Sequence, residues 1–270
     1  MDYEAKHYAI REVAELTGVK PVTLRAWQRR YSLLQPLRTE KGHRLYTEQD
    51  IQTIQTIQSW LLKGVSIGKV SQLLHNNQLP ESEVLDPGGE LEACSALLDA
   101  LAKLKRAKAA NVIATVMKEY PLDIIEAQFV LPVIEALEKV KGPLRSLQKG
   151  LFSSLMLSKL SSILESENKA AHRGPCLCIS FDGHGSILAW LWAVMWAEKG
   201  YQVTFIEGVD DMSGLLQHES LHDWQRVSVF SHRSLAEAQR SALAQLKTQL
   251  QDHLALSSVL DVLTHQENES

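Results

Sequence analysis

The sequence predicts a multidomain α plus α/β chain: an N-terminal winged helix-turn-helix, a four-helix bundle, and a C-terminal doubly wound, Rossmann-like α/β domain. Three observations predict it. Apolar residues recur at helical spacing through the first two thirds of the chain, interrupted by segments rich in Pro, Gly and polar residues. Basic residues crowd into one stretch near the start. Beyond residue 170 the period changes, and short apolar runs alternate with helical ones, the pattern of a parallel sheet. The expected boundaries are 1–77 for the first domain, 78–89 for a linker, 90–170 for the bundle and 171–265 for the α/β domain.

In the first domain, Ile10, Val13, Ala14 and Leu16 form a helical stripe, and Gly18-Val19 turns the chain. Pro21 opens a second helix, at a position where its missing N–H does no harm. Leu24 and Trp27 suit its inner side, which leaves Thr23, Arg25, Gln28 and Arg29 elsewhere on the cylinder. Two extended pieces flank Glu40-Lys41-Gly42, a hairpin turn with glycine at positive φ, and carry Arg38, His43 and Arg44. Thr47 with Asp50 starts a helix whose Ile51, Ile54, Ile57, Trp60 and Leu61 make an apolar face, and residues 65–74 complete a small core.

Four helices are expected in the bundle, over residues 91–104, 110–116, 121–140 and 144–164. Strands are expected at 176–181, 201–206, 226–231 and 257–263. Between them, one helix follows the loop Asp182-Gly-His-Gly185 and ends at Gly200. Another runs from Ser234, capped with Glu237, to Leu250. The tail from Gln266 is polar.

The 270 residues are 45% apolar and 22% charged, enough for more than one core. A formal net charge of −4 at first speaks against a nucleic-acid partner. Its distribution reverses that reading. Between Lys20 and Tyr46 stand seven basic residues (Lys20, Arg25, Arg29, Arg30, Arg38, Lys41, Arg44) against one acid, Glu40, so the remainder carries a net −10. A basic module on an acidic body is the footprint of a protein that touches phosphates with one part only. Three cysteines, Cys94, Cys176 and Cys178, make no disulfide framework and point to a reducing compartment. No apolar run follows Met1, and the longest apolar stretch, residues 187–197, is too short for a bilayer. A cytoplasmic protein with no membrane partner is expected.

Two short helices joined by a glycine turn, the second rich in arginine, are what a major-groove reader needs. Arg and Gln can pair with base edges, while Lys and the remaining Arg bind phosphates. Trp27 and Tyr46 admit a second reading, as core packing.

The runs Ile10-Arg-Glu-Val-Ala14, Val22-Thr-Leu-Arg-Ala-Trp27, Leu33-Leu34, Pro36, Arg38, Gly42-His-Arg-Leu-Tyr46 and Asp50-Ile51 resemble the N-terminal domain of the MerR family of transcriptional regulators. The form Arg-Ala-Trp-Gln-Arg-Arg-Tyr31 is similar to its MlrA/CarH-like subgroup. The resemblance covers about residues 8 to 75. It implies DNA contacts from Thr23, Arg25 and Trp27 on the recognition helix and from Arg38, His43, Arg44 and Tyr46 on the wing. With Gln28 and Arg29 these make the expected DNA-binding set. The expected partners are a palindromic duplex operator and a second copy of the chain, since one small module makes few base contacts.

The subgroup resemblance also implies a cobalamin-binding-like C-terminal half, whose first loop carries Asp/Glu-x-His-x-x-Gly with the histidine able to ligate cobalt. Here Asp182-Gly-His184 matches, and Ile187 replaces the glycine. The Trp and Glu-His pair that the subgroup's bundle lays over the corrin are missing from residues 140–151. The expectation is therefore no cofactor, with His184 as the cofactor ligand in the alternative, a cobalamin- or other small-molecule-dependent regulator.

Four further features stand in the C-terminal half. Gly183-x-Gly185-x-x-Leu188, with Glu207 at the end of the next strand, is two thirds of a dinucleotide fingerprint. His218-Glu-Ser-Leu-His222 is a formal H-E-x-x-H without a third ligand, better read as a surface turn. Cys176 and Cys178 share a strand face and suit core packing. Trp190, Trp192 and Trp196 crowd one helix as core or partner surface. The sum is a regulator with no catalytic residues and no metal, whose C-terminal half answers to a protein partner.

Overall fold

The short strand β1 (Tyr8–Ala9) leads into helix α1 (Ile10–Thr17), started by the Glu12 carboxylate, which accepts the Ala9 N–H at 2.6 Å. The computed structural model describes residues 6–75 and 90–266, and the chain divides into two compact units, Met1–Phe152 and Ser153–Ser270. The expected linker, 78–89, lies outside the described residues, as do 267–270 of the tail.

Val13 on α1 is buried, whereas Leu16, expected on the same stripe, is exposed; Val19 in the following turn takes an inner place instead. Gly18 (φ 72°) closes α1 with its N–H on the Ala14 carbonyl. Helix α2 (Pro21–Tyr31) begins on proline as expected. Strands β2 (Leu37–Arg38) and β3 (Arg44–Tyr46) pair antiparallel around a turn in which Gly42 has φ 80°. β1 adds to the other side of β3, giving the order β1-β3-β2. Thr47 and Asp50 exchange bonds (Thr47 N–H to Oδ2 2.8 Å, Asp50 N–H to Oγ1 3.2 Å) and start α3 (Glu48–Leu62). Helix α4 (Ile67–His75) follows. Leu24, Trp27, Tyr46, Ile51, Ile54, Ile57, Leu61 and Ile67 are buried together with Val13 and Val19, while Trp60 is half-buried.

The rest of the first unit is helical: α5 (Ala93–Ala102), α6 (Arg106–Glu119), α7 (Leu122–Ile125), α8 (Leu131–Lys139) and the start of α9 (Leu144–Lys169). One continuous helix was expected over 121–140, but a π-helical turn, Glu126–Val130, separates α7 from α8. Pro132 explains the break. It has no N–H for the Gln128 carbonyl, which instead accepts the Leu91 N–H (2.9 Å) and the Cys94 thiol (3.4 Å).

In the second unit, β4 (Pro175–Ser180), β5 (Gln202–Ile206), β6 (Arg226–Phe230) and β7 (Leu254–Leu256) form a parallel sheet ordered β5-β4-β6-β7. The intervening helices are α10 (Ile187–Glu198), α11 (Ser213–Leu216) and α12 (Glu237–Leu250), and α13 (Ser258–Gln266) comes last. Strand alternation sorts the two faces. Leu177, Ile179, Val227 and Val229 pack with Leu243, Leu246 and Leu250 of α12 and with Leu260. On the other face α10 covers the sheet: the Trp192 indole donates to Ser228 Oγ (2.6 Å), and Trp190 meets Phe205 edge-on at 5.1 Å.

Two local expectations are corrected. Of residues 257–263, expected as a strand, 258–263 belong to α13, because the pairing edge of β6 is taken by Leu254–Leu256 and Leu260 then turns into the core. The cap of α12 is not Ser234 with Glu237; Gln239 accepts the Ala236 N–H at 3.0 Å and the helix starts at Glu237.

All three thiols are free and buried, and burial pushes Cys94 up to about 12 and Cys178 well above the ordinary thiol range. The native protein should therefore react with no aromatic disulfide reagent at pH 8 and release three equivalents of thiolate once unfolded. The sign of the linkage is also set: a raised Cys94 favours the folded state below the ordinary thiol value and ceases to as pH climbs toward about 12. A native thiol titrating at pH 8 would contradict the buried assignment.

Candidate nucleic-acid interface

Helix α2 divides lengthwise. Thr23, Leu24 and Trp27 are fully buried; Arg25 and Gln28 are half-buried, and Arg29 is exposed. From the hairpin, Arg38 and His43 are exposed, Arg44 is half-buried and Tyr46 is fully buried. The two elements are tied by the Arg44 Nε–H, which donates to Gln28 Oε1 at 2.6 Å. Of the nine residues expected to contact DNA, the structure thus leaves Arg25, Gln28, Arg29, Arg38, His43 and Arg44 with accessible surface. Thr23, Trp27 and Tyr46 lie beneath them, and the Thr23 and Tyr46 hydroxyls have no hydrogen-bond partner.

The accessible set is one electrostatic body. Arg44 is held below the usual arginine range, first by burial and then by the like charges of Arg38, Arg25 and Arg29, Tyr46 acting in the opposite sense. Four guanidinium groups from a helix and a hairpin therefore converge, with no carboxylate among the groups that act on Arg44.

The underside of α2 has partners that sequence reasoning missed. The Trp27 indole donates to the Glu119 carbonyl (2.8 Å), the Arg30 guanidinium is ion-paired with the Glu119 carboxylate, and the Tyr31 hydroxyl donates to its other oxygen (2.8 Å). Burial, then that bond to Glu119, pushes Tyr31 far above the ordinary phenol range. The spacing of Trp27, Arg30 and Tyr31 (i, i+3, i+4) signals a shared helix face. Nothing local in the sequence names a residue 88 to 92 positions away.

The second unit has its polar cluster where β4 and β6 end. Their crossovers leave on opposite faces of the sheet, so these ends form a topological switch point. The Asp182 carboxylate, 1% exposed, accepts from Ser186 Oγ (2.9 Å) and the His232 N–H (3.3 Å) and is paired with the His232 ring; Arg233 stands 4.0 Å away. His184 points elsewhere, exposed, and lies so close to Gly208 (φ 70°) that a Cβ there would sit 2.7 Å from its ring. Glu207 accepts the Gly185 N–H (2.8 Å) and the Trp190 indole N–H (3.2 Å).

Comparison with known proteins places these features. The profile of the MerR HTH family regulatory proteins matches residues 8–77. The HTH-type transcriptional regulator MlrA of Salmonella typhimurium (strain LT2) is 30% identical over 196 residues, 73% of this chain and 78% of that protein. The chain belongs to the MerR family of transcriptional regulators. MlrA of Escherichia coli (strain K12) is 53% identical over 72 residues, 27% of this MerR-family chain and 30% of the relative. The HTH-type transcriptional repressor CarH of Myxococcus xanthus is 29% identical over 190 residues, 66% and 63% of the two chains.

The groups that the C-terminal loop of this MerR-family chain would offer a ligand are already engaged with one another. Asp182 is paired with His232 and accepts from Ser186, and is not bonded to the His184 ring. Ile187 is buried where the loop pattern has glycine. A dinucleotide phosphate would meet the Glu207 carboxylate already bound at the Gly185 N–H. His218 to His222 forms a 3₁₀ turn in which His218 Nδ1 accepts the Ser220 N–H, and among the described residues no group of three His, Cys, Asp or Glu is arranged to hold a metal. Purified protein incubated with adenosylcobalamin in darkness should leave a desalting column with no corrin absorbance; a stoichiometric corrin band would overturn this reading of the loop.

Proposed function

We propose that this MerR-family regulator reads a palindromic operator as a homodimer, through Arg25, Gln28 and Arg29 of a recognition helix and Arg38, His43 and Arg44 of a wing. The convergence of Arg25, Arg29, Arg38 and Arg44 on one accessible face carries the reading. Arg and Gln side chains half-raised from α2 suit base edges, and the hairpin arginines suit flanking phosphates. Thr23, Trp27 and Tyr46 act from beneath, as the packing on which the readers stand. The two hydroxyls without partners, on Thr23 and Tyr46, are the groups of this layer with hydrogen-bonding capacity left over.

A single module of this size offers few base contacts, which is the physical ground for a dimer on repeated half-sites. The C-terminal half is a Rossmann-like domain that answers to a protein partner and performs no catalysis. Its crevice is filled by its own Asp182–His232 pair, and its loop donor is taken by Glu207, so a small-molecule signal has little left to bind.

The test begins with duplexes selected by the wild-type chain from a random-sequence pool. Reversing Arg25 and Arg44 to glutamate together should abolish specific binding at moderate salt. The slope of log affinity against log salt should fall by about one for each phosphate no longer neutralised. An unchanged affinity and slope would sink the interface. Sedimentation of the free protein should give a dimer; a monomer that still protects both half-sites of a palindrome would overturn that part alone.

A further inference from the structure

The underside of α2 raises a separate question: why should a DNA-reading helix commit three side chains to one residue of a helix far along the chain? Glu119 closes α6, and its side chain is 6% exposed. Every acceptor it owns is used. Its carbonyl takes the Trp27 indole, one carboxylate oxygen takes Arg30 and the other takes Tyr31. Two further bonds join the same parts of the first unit, from Gln128 Nε2 to the Leu61 carbonyl (2.8 Å) and from the Ile67 N–H to the Tyr120 hydroxyl (3.4 Å).

The joint holds the recognition helix itself, along 27, 30 and 31, and leaves the opposite side of the helix open. Arg25, Gln28 and Arg29 keep accessible surface while the joint is closed. A latch that silenced the reader would cover those side chains, and this one does not. It pairs one cation, the still exposed Arg30, with a buried carboxylate. A buried carboxylate with all partners in place fixes geometry tightly, because losing any partner leaves a desolvated charge or a stranded donor.

We infer that Glu119 is a positioning residue for DNA reading: it sets the pose of α2, and any rearrangement of α6 reaches the recognition helix through it. The inference rests on the DNA-contact reading above. It predicts a division of labour between residues that touch the duplex, which set affinity and salt slope together, and Glu119, which sets affinity alone.

The experiment measures binding of the full chain to the duplexes selected by the wild type, across a salt series, for Glu119→Gln, Tyr31→Phe, the single reversals Arg30→Glu and Glu119→Arg, and the charge swap that combines them. Glu119→Gln keeps the shape and removes the ion pair. It should weaken binding by about tenfold, within the range that couplings between distinct sites span, with the salt slope unchanged. Tyr31→Phe, which deletes one oxygen and spares folding should Glu119→Gln prove unstable, should weaken binding in the same sense and less. The charge swap should recover most of the affinity lost by either single reversal. Unchanged or tighter binding by Glu119→Gln, or by Tyr31→Phe in its stead, overturns the inference, tighter binding marking the joint as a restraint on the reader. A slope reduced by about one in the Arg30 variants also overturns it, since Arg30 would then touch phosphate itself. Failure of the wild type to select any duplex removes the DNA reading beneath, a result distinct from wild-type selection with an indifferent Glu119.

Discussion

The first unit depends on a single constraint: α2 is eleven residues long and must satisfy three environments at once. Leu24 and Trp27 are buried in the small core, where α2 meets α1 and α4, and Trp27, Arg30 and Tyr31 grip Glu119. The strip with Arg25, Gln28 and Arg29 keeps accessible surface. Trp27 is the pivot of this arrangement because it belongs to two of the three. Its ring fills the core, and its one polar atom, which burial would otherwise leave unsatisfied, reaches the Glu119 carbonyl. A phenylalanine in its place would keep the apolar area and strand that carbonyl.

The second unit solves a comparable problem in the opposite way. A parallel sheet with crossovers on both faces opens a crevice where β4 and β6 end, and the polar groups there are normally offered to a ligand. In this chain they satisfy one another. Asp182 is nearly inaccessible, and Ser186, His232 and the neighbouring Arg233 stand around it and satisfy its carboxyl oxygens. Glu207 does the same for the backbone at Gly185. Each internal bond lowers the gain available to an incoming molecule, which would have to break it first.

How much of this was legible in the sequence follows from the range of the interactions. Local chemistry was readable: the Thr47–Asp50 cap, the positive φ of Gly42, the proline opening α2 and the burial of Cys176 and Cys178 are written within a few residues each. The same local rules failed where a distant partner overrode them. The helix over 121–140 broke because Pro132 left the Gln128 carbonyl to a segment almost forty residues earlier, and residues 257–263 left the strand state because residues 254–256 already completed the sheet edge. For the candidate interface, the cationic residues were legible from their clustering. The burial of Tyr46 was legible as the second of two readings; that of Thr23 was not, since amphipathic spacing marks a side of a helix without saying what covers it. Glu119 and His232 look like ordinary charged or loop residues until the fold brings each to its partner.

The electrostatics of the open strip tie these points together. Burial first, then the like charges of Arg38, Arg25 and Arg29, depress Arg44, and the Gln28 side-chain oxygen is the neutral group that fixes its guanidinium. The mutual repulsion of four guanidinium groups is a standing cost carried by the free protein. Such a face persists only on a scaffold that cannot relax by splaying the hairpin from the helix, and here the β3 pairing and the buried Tyr46 prevent that. A polyanion laid across the strip would relieve the repulsion at every arginine together. That relief is gained without any rearrangement beneath, because the neutral layer of Thr23, Trp27 and Tyr46 already separates the cations from the core. The arrangement thus puts the cations on the open face and the groups that hold them in place on the hidden one.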